Sequence, residues 1–190
     1  MPKLVDHEVR REELAAALWR VVVRDGVEAA SVRRVAAEAG WSTGSLRHYF
    51  DSQGALLVFA MELAIERVTA RLAAVDGAGT PRELAARILH EVLPLDEERR
   101  AEMQVWLAFT ARSLVDPELR ELRDVAHTGI RGLCVTAVEL LGAPAREAER
   151  VHALVDGLAL HAVLDPATTT PARQRELLAA QLDALAQPSR

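Results

Sequence analysis

The sequence contains a single cysteine, Cys134, among its 190 residues. One cysteine excludes an intramolecular disulfide and a zinc cluster held by several cysteines. We interpret Cys134 as a buried packing residue, with a thiol sensor as the alternative. The chain also lacks an apolar run of about 20 residues and a charged-then-apolar N-terminal leader. We therefore expect a cytoplasmic protein with no membrane span.

Aromatic residues make up only 4% of the chain, although 50% of its residues are hydrophobic. Alternation of apolar and polar residues, the pattern of a half-buried strand, is almost absent. Apolar residues instead recur every three or four positions, which is typical of amphipathic helices. The length suits one or two small domains. The sequence thus predicts an all-α protein.

Residues 31–50 carry the most informative pattern, which predicts a short helix, a tight turn and a second short helix. Ser31 and Ser42 are candidate N-caps of the two helices. Gly40 can adopt the positive φ that turns the chain at a helix end. The inward-facing residues predicted from the spacing are Val32, Val35, Ala36, Ala39, Leu46 and Phe50.

The outward-facing side chains of the second helix are hydroxylic, basic or aromatic, namely Thr43, Ser45, Arg47, His48 and Tyr49. Short hydroxyl side chains let a helix end approach a phosphate or a base edge. In helix-turn-helix proteins the N-terminal residues of the second helix enter the major groove. The pattern therefore favours DNA binding, and a three-helix core unrelated to DNA is the alternative that it leaves open.

The net charge of −5 is distributed unevenly along the chain. Residues 1–50 carry eight basic and seven acidic side chains, whereas residues 51–190 carry 15 basic and 21 acidic ones. The acidity thus lies away from the predicted DNA-binding segment. Because that segment is only weakly basic, we expect DNA affinity to depend on local placement of charges and on dimerisation.

The run AGWSTGSLRHYF, followed by DSQGALL, resembles the DNA-binding domain of the tetracycline-repressor (TetR) family. The resemblance extends over roughly residues 10 to 60. The matching positions are Ser31, Val35-Ala36, Ala39-Gly40, Ser42, Gly44, Tyr49-Phe50 and Ala55-Leu56-Leu57. Two positions depart from the family pattern, since Arg47 replaces a frequent aromatic residue and Gln53 replaces the usual lysine.

The resemblance implies a sequence-specific transcriptional regulator, a repressor that a small-molecule inducer releases from double-stranded operator DNA. It implies that Ser42, Thr43, Ser45, Arg47 and His48 approach the groove and that Ser31, Arg33, Tyr49 and Gln53 contact the backbone. It divides the chain into a helix-turn-helix domain at 1–51 and a ligand-binding and dimerisation domain at 52–190. A helix from about 52 to 75 connects the two.

Residues 80–187 more loosely resemble the regulatory domain of the BetI branch, through WLAFTARSLVDPELRELRD and DGLALHAVLDP. The predicted ligand-pocket residues are Met103, Trp106, Phe109, Thr110, His127 and Arg131. The first four place apolar, aromatic and hydroxyl side chains on one helix, a mixture typical of small-molecule sites. Core packing accounts for these four equally well, and a solvent-facing or salt-bridged pair accounts for His127 and Arg131.

The last two predicted helices carry long apolar stripes and resemble the pair that forms the four-helix dimer interface of the family. The predicted interface residues are Val151, Leu154, Val155, Leu158, Ala162, Leu178, Leu182 and Leu185. A homodimer holds its two recognition helices about 34 Å apart, which matches half-sites one DNA turn apart. The alternative is that both stripes belong to an internal core.

Two other functional classes are open to an all-helical chain. For an enzyme or metal protein, the best candidates are His152, Asp156 and His161, but His161 falls off the helix face that the other two share. The sequence has no His-Glu-x-x-His, paired Glu-x-x-His or nucleophile motif. We therefore predict no catalytic residue, metal or cofactor. A helical adaptor that binds proteins is the second alternative.

Overall fold

The computed structural model describes residues 2–186, with side chains from residue 9 onward. Within this range the chain forms helices and no strand, which confirms the predicted all-α class. Met1 and residues 187–190, the outer ends of the two predicted domains, lie outside the described part. No helix that is described combines the length and hydrophobicity needed to cross a bilayer.

Nine α-helices follow one another in the described part of the chain. They are α1 (Pro2–Asp25), α2 (Val32–Ala39), α3 (Thr43–Arg47), α4 (Gln53–Ala73), α5 (Pro81–His90), α6 (Glu97–Ser113), α7 (Arg120–Leu140), α8 (Glu147–Leu164) and α9 (Pro171–Ala186). The caps predicted at Ser31 and Ser42 are confirmed, because each hydroxyl accepts a hydrogen bond from the backbone N–H three residues on. Local sequence signals thus fix where α2 and α3 begin.

Helices α1 to α4 pack around an N-terminal core that α6 completes. Leu18, Leu46 and Phe59 are buried in this core, and α6 adds Val105 and Phe109, both fully buried. The core therefore continues beyond residue 51, the predicted end of the DNA-binding domain. The helix-turn-helix depends on α4 and α6 for part of its hydrophobic packing.

Helices α5, α7, α8 and α9 enclose a second, C-terminal core. Cys134 on α7 lies in this core and is fully buried. Burial raises the pKa of the Cys134 thiol to about 12, and the nearby Asp156 carboxylate adds to the shift. The thiol therefore stays protonated at neutral pH and serves as a packing residue, as the sequence predicted.

The apolar stripes of α8 and α9 face this C-terminal core, so the predicted dimer interface needs correction. Six of its eight residues are buried within their own chain, namely Val151, Val155, Leu158, Ala162, Leu178 and Leu182. Leu154 and Leu185 are half-buried and pack against the same core. Periodicity identified the apolar face correctly but not its partner, because α5 and α7 of the same chain cover it.

A different face of α8 is left uncovered. Leu160 is 36% exposed and Leu164 is 67% exposed, and Ala153 lies on the same side of the helix. Gly157 completes this side at the i, i+4, i+7, i+11 spacing of one helix face. Small and apolar residues thus form an exposed stripe opposite the one that is buried.

Candidate DNA-binding head and ligand cavity

The turn between α2 and α3 is fixed by Gly40, which ends α2 in the left-handed conformation with φ of 71°. Only glycine adopts this conformation readily, since a Cβ would clash with the backbone. The N–H of Trp41 then donates to the carbonyl of Ala36 at 2.8 Å and closes the end of α2. The orientation of α3 is therefore set within a few residues.

Helix α3 is held against the core by one face and leaves the other face to solvent. Leu46 is fully buried, and the rings of Trp41 and Tyr49 meet edge to face at 5.7 Å between centroids. At the other end of the helix, the Ser42 hydroxyl accepts from the N–H of Ser45 at 3.0 Å, and the two hydroxyls lie 2.9 Å apart. The predicted groove residues thus lie along a short helix that is anchored near both of its ends.

The side chains predicted to contact DNA differ in whether they already form ion pairs or hydrogen bonds within the protein. Arg33, Arg47 and His48 are exposed, and no ion pair joins the two arginines to any described residue. Arg20 and Arg24, by contrast, both bind Glu38 and hold the pKa of its carboxyl below the usual value. The free arginines of this region therefore lie on α2 and α3, and those near the end of α1 are neutralised.

Gln53 occupies the position where the family pattern has lysine, and it makes a bond of its own. Its side-chain amide donates to the carbonyl of Ala30 at 2.6 Å and ties the start of α4 to the segment before α2. One amide N–H stays available for a backbone phosphate. Ser31 is in a similar state, since its hydroxyl accepts from the N–H of Arg34 and keeps its own hydrogen to donate. Thr43 lies half-buried at the first position of α3.

A cavity of about 310 Å³ lies between α4, α6, α7 and α8. Its lining consists of Met61, Ala64, Ile65, Val68, Thr69, Leu72, Glu91, Val92, Arg99, Glu102, Met103, Trp106, Val125, Ala126, Gly129, Ile130, Leu133, Val155, Asp156 and Ala159. Most of these side chains are apolar, and a few charged groups lie among them. This mixture is characteristic of sites for small organic molecules.

Two of the six predicted pocket residues, Met103 and Trp106, line this cavity. The other four do not, and their assignment is corrected. Phe109 is fully buried in the N-terminal core and does not reach the cavity. Thr110 has a buried hydroxyl with no hydrogen-bond partner among the described residues, and it lies outside the cavity lining. His127 and Arg131 are exposed residues of α7, and neither lines the cavity.

A partly buried ion-pair network, formed by Arg71, Glu91, Arg99 and Glu102, borders one end of the cavity. Arg71 donates to both carboxylate oxygens of Glu102 at 2.6 and 2.7 Å, and to Glu91 Oε2 at 2.9 Å. Arg99 donates to the same Glu91 oxygen at 2.7 Å. Burial raises the pKa of the Glu102 carboxyl and the Arg71 guanidinium lowers it, but the two short parallel bonds are the geometry of an ionised pair.

Asp156 lies on the opposite wall of the cavity, on α8. Its side chain is half exposed, and its Oδ2 lies 3.4 Å from Nε2 of His152. No arginine pairs with it in the described part of the chain. The His152 ring also contacts that of His127, with centroids 4.9 Å apart. The described side chains bring no three potential metal ligands together here or elsewhere, and His161 is exposed away from this group.

Sequence patterns did not identify the walls of the cavity that α4, α7 and α8 supply. Ile65, Val68 and Leu72 follow the amphipathic pattern of α4, and the sequence marks Asp156 only as a candidate metal ligand. A pattern along one helix shows which residues face inward, but not where neighbouring helices separate to leave space. Only the packing of four helices shows that these residues share a cavity.

Both halves of the chain match known protein families. Residues 14–58 match the family described as bacterial regulatory proteins, tetR family, and residues 81–187 match BetI-type transcriptional repressor, C-terminal. The chain is 43% identical to the HTH-type transcriptional regulator PksA of Bacillus subtilis, with 97% of this chain and 94% of PksA covered. It is 32% identical to BetI 1 of Chromohalobacter salexigens, over 93% and 90% of the two chains.

Solved structures share the fold over most of their length. A transcriptional regulator from Rhodococcus sp. Rha1 is 35% identical, with a TM-score of 0.79 over 92% of this chain and 95% of that one. The multidrug binding protein EbrR, complexed with ethidium, is 29% identical, with a TM-score of 0.65 over 90% and 98%. The family predicted from residues 31–57 is confirmed, and the chain belongs to the TetR family as a helix-turn-helix transcriptional regulator rather than an enzyme.

Proposed function

We propose that this protein is a homodimeric repressor that leaves its operator when a small molecule binds in the cavity between α4, α6, α7 and α8. The observation that carries this proposal is the sharing of two helices between the N-terminal core and the cavity. The multidrug binding protein EbrR, which shares this fold and is complexed with ethidium, supports a ligand-binding role for this chain. Operator DNA lies in the cytoplasm, so the proposal also implies a cytoplasmic location.

Helix α4 has one set of side chains in the N-terminal core and another in the cavity wall. Leu56 and Phe59 are buried under the helix-turn-helix, whereas Ile65 and Val68, further along, line the cavity. A ligand that repositions the second part of α4 moves the first part as well, because a helix is stiff along its axis. The two ends of α4 are thus mechanically linked.

Helix α6 links the same two regions across its width. Phe109 packs in the N-terminal core, and Trp106, less than one turn away, lines the cavity. A ligand shifts the equilibrium between DNA-binding and released states only by its difference in affinity for the two. Contacts of the ligand with α4 and α6 provide that difference in affinity, since these helices also support the helix-turn-helix, which we call the reading head.

The exposed residues of α2 and α3 form the proposed DNA surface. Ser42, Thr43, Ser45, Arg47 and His48 approach the groove, and Ser31, Arg33, Tyr49 and Gln53 contact the backbone. The exposure of both Arg33 and Arg47, together with their lack of ion pairs among the described residues, supports this assignment. Two copies of the surface are needed to read an operator with paired half-sites.

Replacing Arg47 with alanine is expected to weaken operator binding by about tenfold, as for the loss of one arginine contact in the groove, and to reduce the salt slope because one positive charge near the DNA is removed. Arg131→Ala is the matched control, since Arg131 is also exposed and forms no ion pair with described residues. The measurement is fluorescence anisotropy on DNA from upstream of the gene, at several salt concentrations. An unchanged affinity and slope would remove Arg47 from the DNA surface.

The same titration tests the function as a whole. A specific repressor should prefer its operator over unrelated DNA by about 10³ or more. If the operator lies upstream of the gene itself, the native protein will show this preference there. Equal weak binding to that DNA, to unrelated DNA and to a genomic library of fragments would contradict sequence-specific recognition.

The exposed stripe of α8 is the proposed dimer surface in place of the buried residues predicted from periodicity. Leu164→Asp should weaken the dimer by about tenfold or more, because a carboxylate would be buried against apolar groups. Leu114→Asp is the control, since Leu114 is 68% exposed and Leu164 67% exposed, but Leu114 lies at the end of α6. Sedimentation equilibrium measures the dimer dissociation constant of the two variants. An unchanged dimer in Leu164→Asp would place the interface elsewhere.

A further inference from the structure

We propose that the ligand of the cavity is an organic cation with an apolar body, and that Asp156 binds its positive charge. This inference rests on the proposed function, since it names the class of molecule that fills the cavity. It follows from the distribution of paired and unpaired charges around the lining.

The charged groups at the α4 and α6 end of the cavity neutralise one another. Glu102 is bound by Arg71 through two hydrogen bonds, and Glu91 is bound by both Arg71 and Arg99. Arg99 is also bound to Asp96 at 3.1 Å. One donor stays open, because Arg99 Nε is buried with no hydrogen-bond partner among the described residues, so this end offers a single N–H to an acceptor but no net charge. This end of the cavity therefore does not select for ligand charge.

Asp156 is different, because its negative charge has no cationic side chain to balance it in the described part of the chain. The group nearest to it is His152, and the geometry at 3.4 Å does not form a hydrogen bond to Nε2. With the network of Arg71, Glu91, Arg99 and Glu102 balanced, the lining carries one uncompensated negative charge. A carboxylate at the edge of an apolar site attracts a cation and repels an anion.

The other lining residues indicate the chemical character of the uncharged part of the ligand. Trp106 and Met103 come from α6, and Ile65 and Leu133 face the same space from α4 and α7. The ring of Trp106 adds an attraction for cations that aliphatic side chains lack. A volume of about 310 Å³ lies at the small end of the range for organic ligands. A small, largely apolar molecule with a single positive charge meets all of these conditions.

A matched pair of probes isolates the effect of charge. The 5-methylphenanthridinium ion is a permanent cation, and phenanthridine has the same ring system and is neutral at pH about 8. Binding of each to the full-length protein is measured by isothermal titration calorimetry. We expect the native protein to bind the cation more tightly, and Asp156→Asn to lower the cation affinity about fivefold while leaving that of phenanthridine unchanged. Asp156 is half exposed, so the substitution should not disturb folding, which circular dichroism verifies.

Glu149→Gln is the control for a general change of charge, since Glu149 is exposed on the same helix and does not line the cavity. It should leave both affinities unchanged. Equal binding of the two probes, an equal loss in both variants, or no binding of either probe would overturn the inference.

The operator assay separates this inference from the proposed function. If 5-methylphenanthridinium binds through Asp156 but does not alter operator affinity, the ligand class stands and release by that site fails. If phenanthridine releases the operator as well as the cation does, and Asp156→Asn has no effect on release, the proposed function stands and the cation preference is wrong.

Discussion

Replacing Glu102 with alanine is expected to lower the free energy of unfolding by about 3 kcal/mol, the low end of the range for breaking a buried ion pair. Glu102 is 7% exposed, and the variant leaves Arg71 beside an apolar cavity without its bidentate partner. The effect is at the low end because Arg71 stays one-quarter exposed and keeps its bonds to Glu91. The network therefore joins α4 to α6 at the site where the ligand is proposed to bind.

Urea unfolding followed by circular dichroism measures the change, at one protein concentration because dimer stability depends on it. Glu98→Ala is the matched control on the same helix, since the Glu98 side chain is 66% exposed and lies 3.5 Å from Arg67. Exposed pairs contribute about 0–1 kcal/mol. A loss in Glu102→Ala no larger than that in Glu98→Ala would show that Arg71 finds other partners.

Replacing Phe109 with alanine should cost about 3–5 kcal/mol, the range for removing a fully buried aromatic side chain. Phe109 is 0% exposed and lies in the N-terminal core together with Leu46 and Phe59. The void left by the substitution would loosen the packing of α6 against α1 and α4, which share the N-terminal core with α3. We therefore expect weaker operator binding at temperatures where the variant is still folded.

The conservative variant Phe109→Leu tests whether lost operator binding follows lost packing in the N-terminal core. It should lose roughly half as much unfolding free energy as Phe109→Ala, or less, and keep more of the operator affinity. Leu114→Ala, at an exposed position of the same helix end, should change the free energy of unfolding by less than about 0.5 kcal/mol. If Phe109→Ala lowered stability without affecting operator binding, α6 would support the fold but would not hold the reading head.

The helix-turn-helix could be predicted from the sequence because its determinants are local. Ser31 and Ser42 satisfy N–H groups three residues on, and Gly40 supplies a conformation that other residues avoid. Each of these interactions spans only a few positions, so the sequence that encodes it is contiguous. The same holds for Ser52, Thr80 and Asp96, which cap α4, α5 and α6.

The cavity and the dimer surface could not be predicted in the same way, because they depend on which helices meet. Phe109 and Trp106 both lie on α6 and both contact the N-terminal core, but only Trp106 also lines the cavity. Leu158 and Leu164 belong to the same helix, yet one is buried in its own chain and the other is exposed. Apolar spacing gives no information about the partner that lies over a given side.

The position of α6 in the chain has a consequence for synthesis on the ribosome. The helix-turn-helix ends near Phe50, but Phe109, which completes its core, is added roughly 60 residues later. At about 5–20 residues per second this delay lasts about 3–12 seconds. During that time the nascent reading head exposes part of its apolar interior, so chaperone contact is expected before the repressor can bind DNA.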